Sequence, residues 1–135
     1  MASKIKKSDN EWRTQLSPEQ YSVLRKKATE APFSGEYDNV FDPGTYKCAA
    51  CGAKLFASNT KFDAQCGWPS FYDAIDGSVE FHQDNSFGAQ RTEVTCANCG
   101  GHLGHIFTGE KFDTPTDQRY CINSLSLQFT PKSDI

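Results

Sequence analysis

The chain has 135 residues, 37% of them hydrophobic and 23% charged, with a net charge of −3 at neutral pH. Its aliphatic content is thin for one domain's worth of sequence, so 10 Phe, 5 Tyr and 2 Trp must fill much of the interior. No apolar run approaches the roughly 18–20 residues of a membrane helix, and the acidic balance excludes a nucleic-acid binder that neutralises many phosphates.

Residues 1–8 form a polar, lysine-rich stretch, read as a flexible tail. It lacks the apolar segment of a secretory signal, so the expected compartment is the reducing cytoplasm. Trp12 and Leu16, spaced i and i+4, predict a short helix over 9–16. Ser17-Pro18-Glu19-Gln20 is a second helix start: a hydroxyl cap, a proline at the first helical position and a glutamine to close a capping box. Tyr21, Val23 and Leu24 give that helix its apolar stripe, and Ala31-Pro32-Phe33-Ser34-Gly35 ends the helical part.

Beyond residue 36 the pattern is β. Short apolar segments recur between Gly, Pro, Asn and Asp clusters, at Val40-Phe41, Tyr46-Lys47, 54–56, 79–81, 91–95, 103–108 and 120–130. Asp42-Pro43-Gly44-Thr45, with Pro at i+1 and Gly at i+2, predicts a type II turn. A single domain over 1–135 is expected, mainly antiparallel β with a helical N-terminal cover.

Six cysteines are the outlying feature. In an oxidising compartment they would allow 15 disulfide connectivities; in a reducing one, clustered cysteines bind metal or do redox work. Cys48-Ala49-Ala50-Cys51-Gly52 and Cys96-Ala97-Asn98-Cys99-Gly100 share one design. Two thiolates at i and i+3 on a tight turn can face one ion, and the following Gly supplies positive φ. Two such knuckles make a closed tetrahedral four-sulfur site suited to zinc, with iron as the alternative. A redox CxxC opens a helix, and no helical pattern follows either knuckle. A closed site has no open position, so its expected role is structural.

Cys66 and Cys121 are left over. Two inert buried cysteines are the bland alternative. On a period of two, Arg119, Cys121, Asn123, Leu125, Leu127 and Phe129 share one strand face, polar at the Arg119 end and apolar at the other. A free thiol has a pKa of about 8.5, and stabilisation by about 2 kcal/mol would make roughly half of it reactive at pH 7. Arg119 and a nearby imidazole could supply that. His102 and His105 lie three apart in a glycine-rich stretch, where a bulge could bring both rings to one site. His82 reads as a surface or satisfied core histidine. The loop 61–71 carries Cys66, and its Trp68 either pins the loop into the core or walls an apolar ligand group.

GWPSF at 67–71, HLGHIF at 102–107, RYCINSLSL at 119–127 and the two CxxCG knuckles together resemble the B-type methionine sulfoxide reductases over roughly 17–130. The resemblance implies two antiparallel β-sheets with short N-terminal helices and a structural zinc on Cys48, Cys51, Cys96 and Cys99. It implies reduction of methionine-R-sulfoxide, free or in proteins, a protein-repair activity against oxidative stress with thioredoxin as reductant. Cys121 would be the nucleophile, passing through a sulfenic acid, and Cys66 the resolving thiol of a Cys66–Cys121 disulfide. Trp68 would contact the methyl group, with Phe107 a further substrate-binding residue. His102, His105, Arg119 and Asn123 would form the polar side, with His105 the preferred acid. Ala64-Gln65 stands where Ser-Gly is common, which bears on the resolving step. A monomer without nucleic-acid or membrane partners is expected. Two rival readings are a zinc-stabilised binding module, which leaves Cys66, Cys121 and the His pair without a task, and a thiol peroxidase, which leaves Trp68 without one.

Overall fold

The computed structural model describes residues 7–37, 40–64, 66–85, 90–110 and 114–132. Helix α1 spans Asp9–Gln15 and α2 spans Pro18–Lys26. Each begins with a serine, Ser8 or Ser17, in a complete capping box closed by Glu11 or Gln20, and each such cap stabilises by about 1 kcal/mol. Helix α2 stops five residues before Ala31, because Lys27 turns left-handed at φ +62°. Residues 28–37 are then free to run as an extended and turning segment across the β layer. Among the described residues no helix is long and apolar enough to cross a membrane.

Nine strands follow among the described residues: β1 Gly44–Cys48, β2 Lys54–Ala57, β3 Lys61–Phe62, β4 Ser70–Phe71, β5 Val79–Asp84, β6 Arg91–Cys96, β7 His102–Thr108, β8 Gln118–Ile122 and β9 Leu127–Pro131. They form two antiparallel sheets, β2-β1-β9 and β3-β4-β8-β7-β6-β5. This is the mainly β, two-sheet architecture with two short helices that the motifs imply. Aromatic rings from both sheets fill the interior between them. Phe56 stacks on Phe71 at 4.3 Å, Tyr46 meets Phe71 edge-on at 5.1 Å, and Tyr46 tilts against Phe129 at 4.9 Å. Tyr46, Phe56 and Phe71 are fully buried, so aromatics do carry the core.

Several local expectations fail. Val40-Phe41 pairs with nothing as a strand. Gly44 is the first residue of β1 and is not at positive φ, so Asp42–Thr45 is no type II turn. Loop 61–71 contains the two-residue strands β3 and β4, which pair with each other and join Phe71 to Tyr120. The largest departure is at 120–130. A 3-10 turn at Ser124–Ser126 divides that segment into β8 and β9, which belong to different sheets. Arg119 and Cys121 therefore share a strand face, but Leu125, Leu127 and Phe129 do not continue it.

Candidate active site

Antiparallel pairing of β7 with β8 sets His105 opposite Cys121 and Phe107 opposite Arg119. Directly opposed residues share a face, so these four side chains line one patch. On the far side of β8, Ser70 of β4 is the partner of Cys121, which brings in the loop that ends at β4. Cys66, Trp68, Arg91, Thr29, Gly104 and Asn123 complete the lining of a cavity of about 160 Å³ over this patch.

The two leftover cysteines meet here. Both thiols line the cavity and influence each other's ionisation, and Cys66 Sγ lies 3.3 Å from Ser70 Oγ. The neighbouring Cys121 thiol pulls Cys66 down to about 5, against the effect of burial and with help from Ser70 and Arg119. The same contact, reinforced by burial, pushes Cys121 up, while Arg119 opposes the rise. The two thiols thus ionise as a coupled pair beside a fixed positive charge, and the first ionisation falls below the ordinary thiol range. Arg119 is aimed by a two-pronged pair with Glu110, Nε to Oε1 at 2.7 Å and a second contact at 3.1 Å, and it lies over the Phe107 ring at 4.6 Å.

The histidines share one region because β7 bulges. Thr95 pairs with His102 and Val94 with Gly104, so Leu103 is the extra residue. The two rings stand 5.5 Å apart. His105 lines the cavity, and its Nε2 is 2.7 Å from Asp84 Oδ2. His102 is buried, with Nδ1 2.7 Å from Glu93 Oε2. Its Nε2 has no partner among the described residues. Lys27 bridges the two carboxylates, 3.6 Å from Asp84 and 3.4 Å from Glu93, and Arg91 adds a contact to Asp84 at 3.5 Å. Burial lowers the His105 pKa and outweighs the opposing pull of Asp84, with Arg91 and His102 adding to the fall. A standing imidazolium at neutral pH is therefore disfavoured in the free site. His82 is exposed and contacts Thr95 Oγ1, away from the cavity.

Asn123 also lines the cavity, with its amide held by backbone partners. It is buried, its Oδ1 accepts from Glu30 N at 3.0 Å, and its Nδ2 donates to Leu103 O at 3.0 Å. Glu30 is the unexpected member. Its carbonyl accepts from Trp68 Nε1 at 3.0 Å and its Oε1 from Leu125 N at 2.9 Å. One residue of the segment after α2 thus holds the indole, Asn123 and the 3-10 turn together. Trp68 is half-buried with its ring on the cavity. The Gln65 position lies outside the described residues.

The remaining four sulfurs, of Cys48, Cys51, Cys96 and Cys99, lie within 4.8 Å of one another. Cys48 to Cys99 and Cys51 to Cys96 are both 3.6 Å apart. A tetrahedral ion with bonds of about 2.3 Å to sulfur requires about 3.8 Å between sulfurs, so the group could hold a metal ion of that kind. Gly52 and Gly100 sit at φ +80° and +77°, and each returns its N–H to the first cysteine's carbonyl at 2.8 Å. Both helices grip the knuckles. Gln15 Nε2 donates to Ala50 O at 2.5 Å, and Arg25 donates to Cys99 O at 3.0 Å.

Known proteins are similar to this chain over almost all of its length. The SelR domain family matches residues 16–131. Peptide methionine sulfoxide reductase MsrB of Leifsonia xyli subsp. xyli is 56% identical over 131 residues, 96% of this chain and 94% of that protein. The chloroplastic peptide methionine sulfoxide reductase B2 of Arabidopsis thaliana is 54% identical and the chloroplastic B3 protein of Oryza sativa subsp. japonica is 52% identical. Each match covers 96% of this chain, but the chain spans only 63% and 56% of those two proteins' lengths. A crystal structure of the Mis18 'Yippee-like' domain has a TM-score of 0.50 at 21% identity, covering 66% of this chain and 96% of that one, a likeness of fold alone. By the match to residues 16–131 and the relatives that align almost end to end with it, the chain belongs to the SelR-domain family, the B-type methionine sulfoxide reductases.

Proposed function

We propose that the protein reduces methionine-R-sulfoxide, free or within polypeptides, to methionine, with Cys121 as the attacking sulfur and Cys66 as the resolving one. The observation that carries the reading is the meeting of these two thiols on a cavity also lined by an indole, an imidazole and a guanidinium. The resting pair keeps its negative charge on Cys66, beside Arg119. Passing the Cys121 proton to Cys66 readies Cys121, which the strand pairing fixes opposite His105.

Sulfoxide sulfur becomes electrophilic as its oxygen takes up a proton. The Cys121 thiolate attacks sulfur while His105 delivers a proton to oxygen. Oxygen passes to Cys121, methionine leaves, and Cys121 is a sulfenic acid. Developing charge on the oxygen raises the proton affinity of His105 and offsets burial, while Asp84 holds the ring in place. The Cys66 thiol then attacks the Cys121 sulfur. Its proton and the sulfenic hydroxyl depart as water, and a Cys66–Cys121 disulfide remains. A dithiol protein such as thioredoxin reopens it by exchange. With Trp68 and Phe107 against the methyl group and the polar side against oxygen, only one epimer turns its sulfur toward Cys121. Arg119 stabilises the thiolate, Asn123 positions the wall through Glu30 and Leu103, and His102 supports His105.

For the four-sulfur group we infer zinc, held by Cys48, Cys51, Cys96 and Cys99. With four protein ligands it supplies folding energy and leaves no position for substrate. The mechanism is tested by mass spectrometry after one equivalent of methionine-R-sulfoxide. The expected product links Cys66 to Cys121, leaves the other four cysteines unmodified, and fails to form with the S epimer. A link involving any of the four, or equal reaction with both epimers, would overturn it.

A further inference from the structure

Three large hydrophobic side chains are exposed among the described residues. Phe41 lies under the Lys61 ammonium at 3.9 Å and Phe81 lies 6.2 Å from the Tyr120 ring. Phe33 is the most exposed, at 72%, and makes no ring or cation contact among the described residues. It also has a costly backbone. Ser34 N donates to Ala31 O at 3.2 Å, closing a turn with Pro32 second and Phe33 third, and Phe33 sits at φ +64°. That is the third position of a type II turn, where glycine or asparagine is customary and a bulky side chain is strained. An exposed aromatic in a conformation that would suit glycine better adds nothing to folding, and strain of this kind gathers at functional sites.

The turn adjoins the cavity. Phe33 N donates to Gly67 O at 2.8 Å, between Cys66 and Trp68. Gly67, at φ +92°, is packed so closely that a Cβ there would lie 2.7 Å from Pro32 Cβ. The cavity's 160 Å³ is the size of one side chain, well below the roughly 300–1,000 Å³ of pockets that enclose a whole small ligand. A polypeptide substrate must therefore leave its backbone and flanking residues outside, across this rim.

We propose that Phe33 is a specificity-determining contact for polypeptide substrates, packing against an apolar residue that flanks the methionine sulfoxide. This rests on the activity proposed above. The occupant is the substrate peptide, because the turn is bonded to the wall where the side chain enters.

The experiment compares kcat/KM of the full chain on free methionine-R-sulfoxide and on a pentapeptide with leucine beside a central methionine-R-sulfoxide. A small dithiol serves as reductant. In Phe33→Gly and Phe33→Asn, peptide kcat/KM is expected to fall about five- to tenfold, chiefly through KM, while the free amino acid stays within about twofold. Phe33→Tyr keeps wild-type values. The thermal midpoint of Phe33→Gly is unchanged or higher, since the strain is relieved. In the unaltered protein, replacing the flanking leucine by aspartate gives a similar fall, which tests the contact without any variant. Equal losses on both substrates, no loss on the peptide, or a loss seen only with a protein reductant would overturn the proposal. An unaltered protein inactive on both substrates would instead remove the activity on which it rests.

Discussion

The molecule holds two groups of sulfur that differ in almost every physical respect. The four-sulfur group is built twice from one local design, with three of its cysteines buried and both turns clamped by helices. The Cys66–Cys121 pair joins a loop to a strand and borders a cavity. It ionises as a coupled pair beside a guanidinium. Symmetry and enclosure suit an ion that must not react, whereas asymmetry and access suit a thiol that must. A cysteine's chemistry here is set by what surrounds it.

The largest effect expected from this contrast is loss of the fold on removal of the metal proposed for the four-sulfur group. Structural zinc sites contribute on the order of 10–16 kcal/mol of apparent folding energy, more than the net stability of a typical domain. Chelation should therefore collapse the dispersion of the amide NMR spectrum, and a well-dispersed spectrum without metal would make the two groups more alike than argued here. The next effect separates the members of the reactive pair. Cys66→Ser should release one methionine per enzyme and then stall with a dithiol protein reductant, as counted by quenched-flow chromatography. Normal cycling would show that Cys66 is not the resolving thiol.

The smallest effect is in pH. Cys66 titrates near 5, so the pair loses its thiolate as pH falls through that value. Burial holds His105 below its ordinary 6.5, so the protonated fraction of the acid falls as pH rises toward neutrality. The single-turnover rate should therefore be bell-shaped, with its maximum between about 5 and 6.5. A rate rising steadily to pH 8.5 would point to an ordinary thiol without the Arg119 and Cys66 environment.

What could be read from the residues follows distance along the chain. The helix caps, the CxxCG knuckles and the His pair are local devices, and each forms as its spacing requires. The strand break at Ser124–Ser126 was hidden, because Asn123, Leu125 and Leu127 keep a period of two that a continuous strand would also show. Nothing local marks Glu30, whose role depends on Trp68 and Asn123, 38 and 93 residues away. Asp84, Glu93 and Lys27 were missed for the same reason. Two strands and a helix end must assemble before a carboxylate behind an imidazole can be recognised. Acidic residues in β6, opposite the histidine-bearing β7, and in β5 beside it are the available hint.

The break between the sheets also has a mechanical consequence. Leu127 pairs with Cys48, and only Asn123 and the turn at Ser124–Ser126 separate it from Ile122, the neighbour of Cys121. A displacement at Cys48 is thus passed through a short connection to the strand that carries Cys121. If the four sulfurs hold an ion, its loss should lower turnover in step with the fold, so residual activity would report metal content.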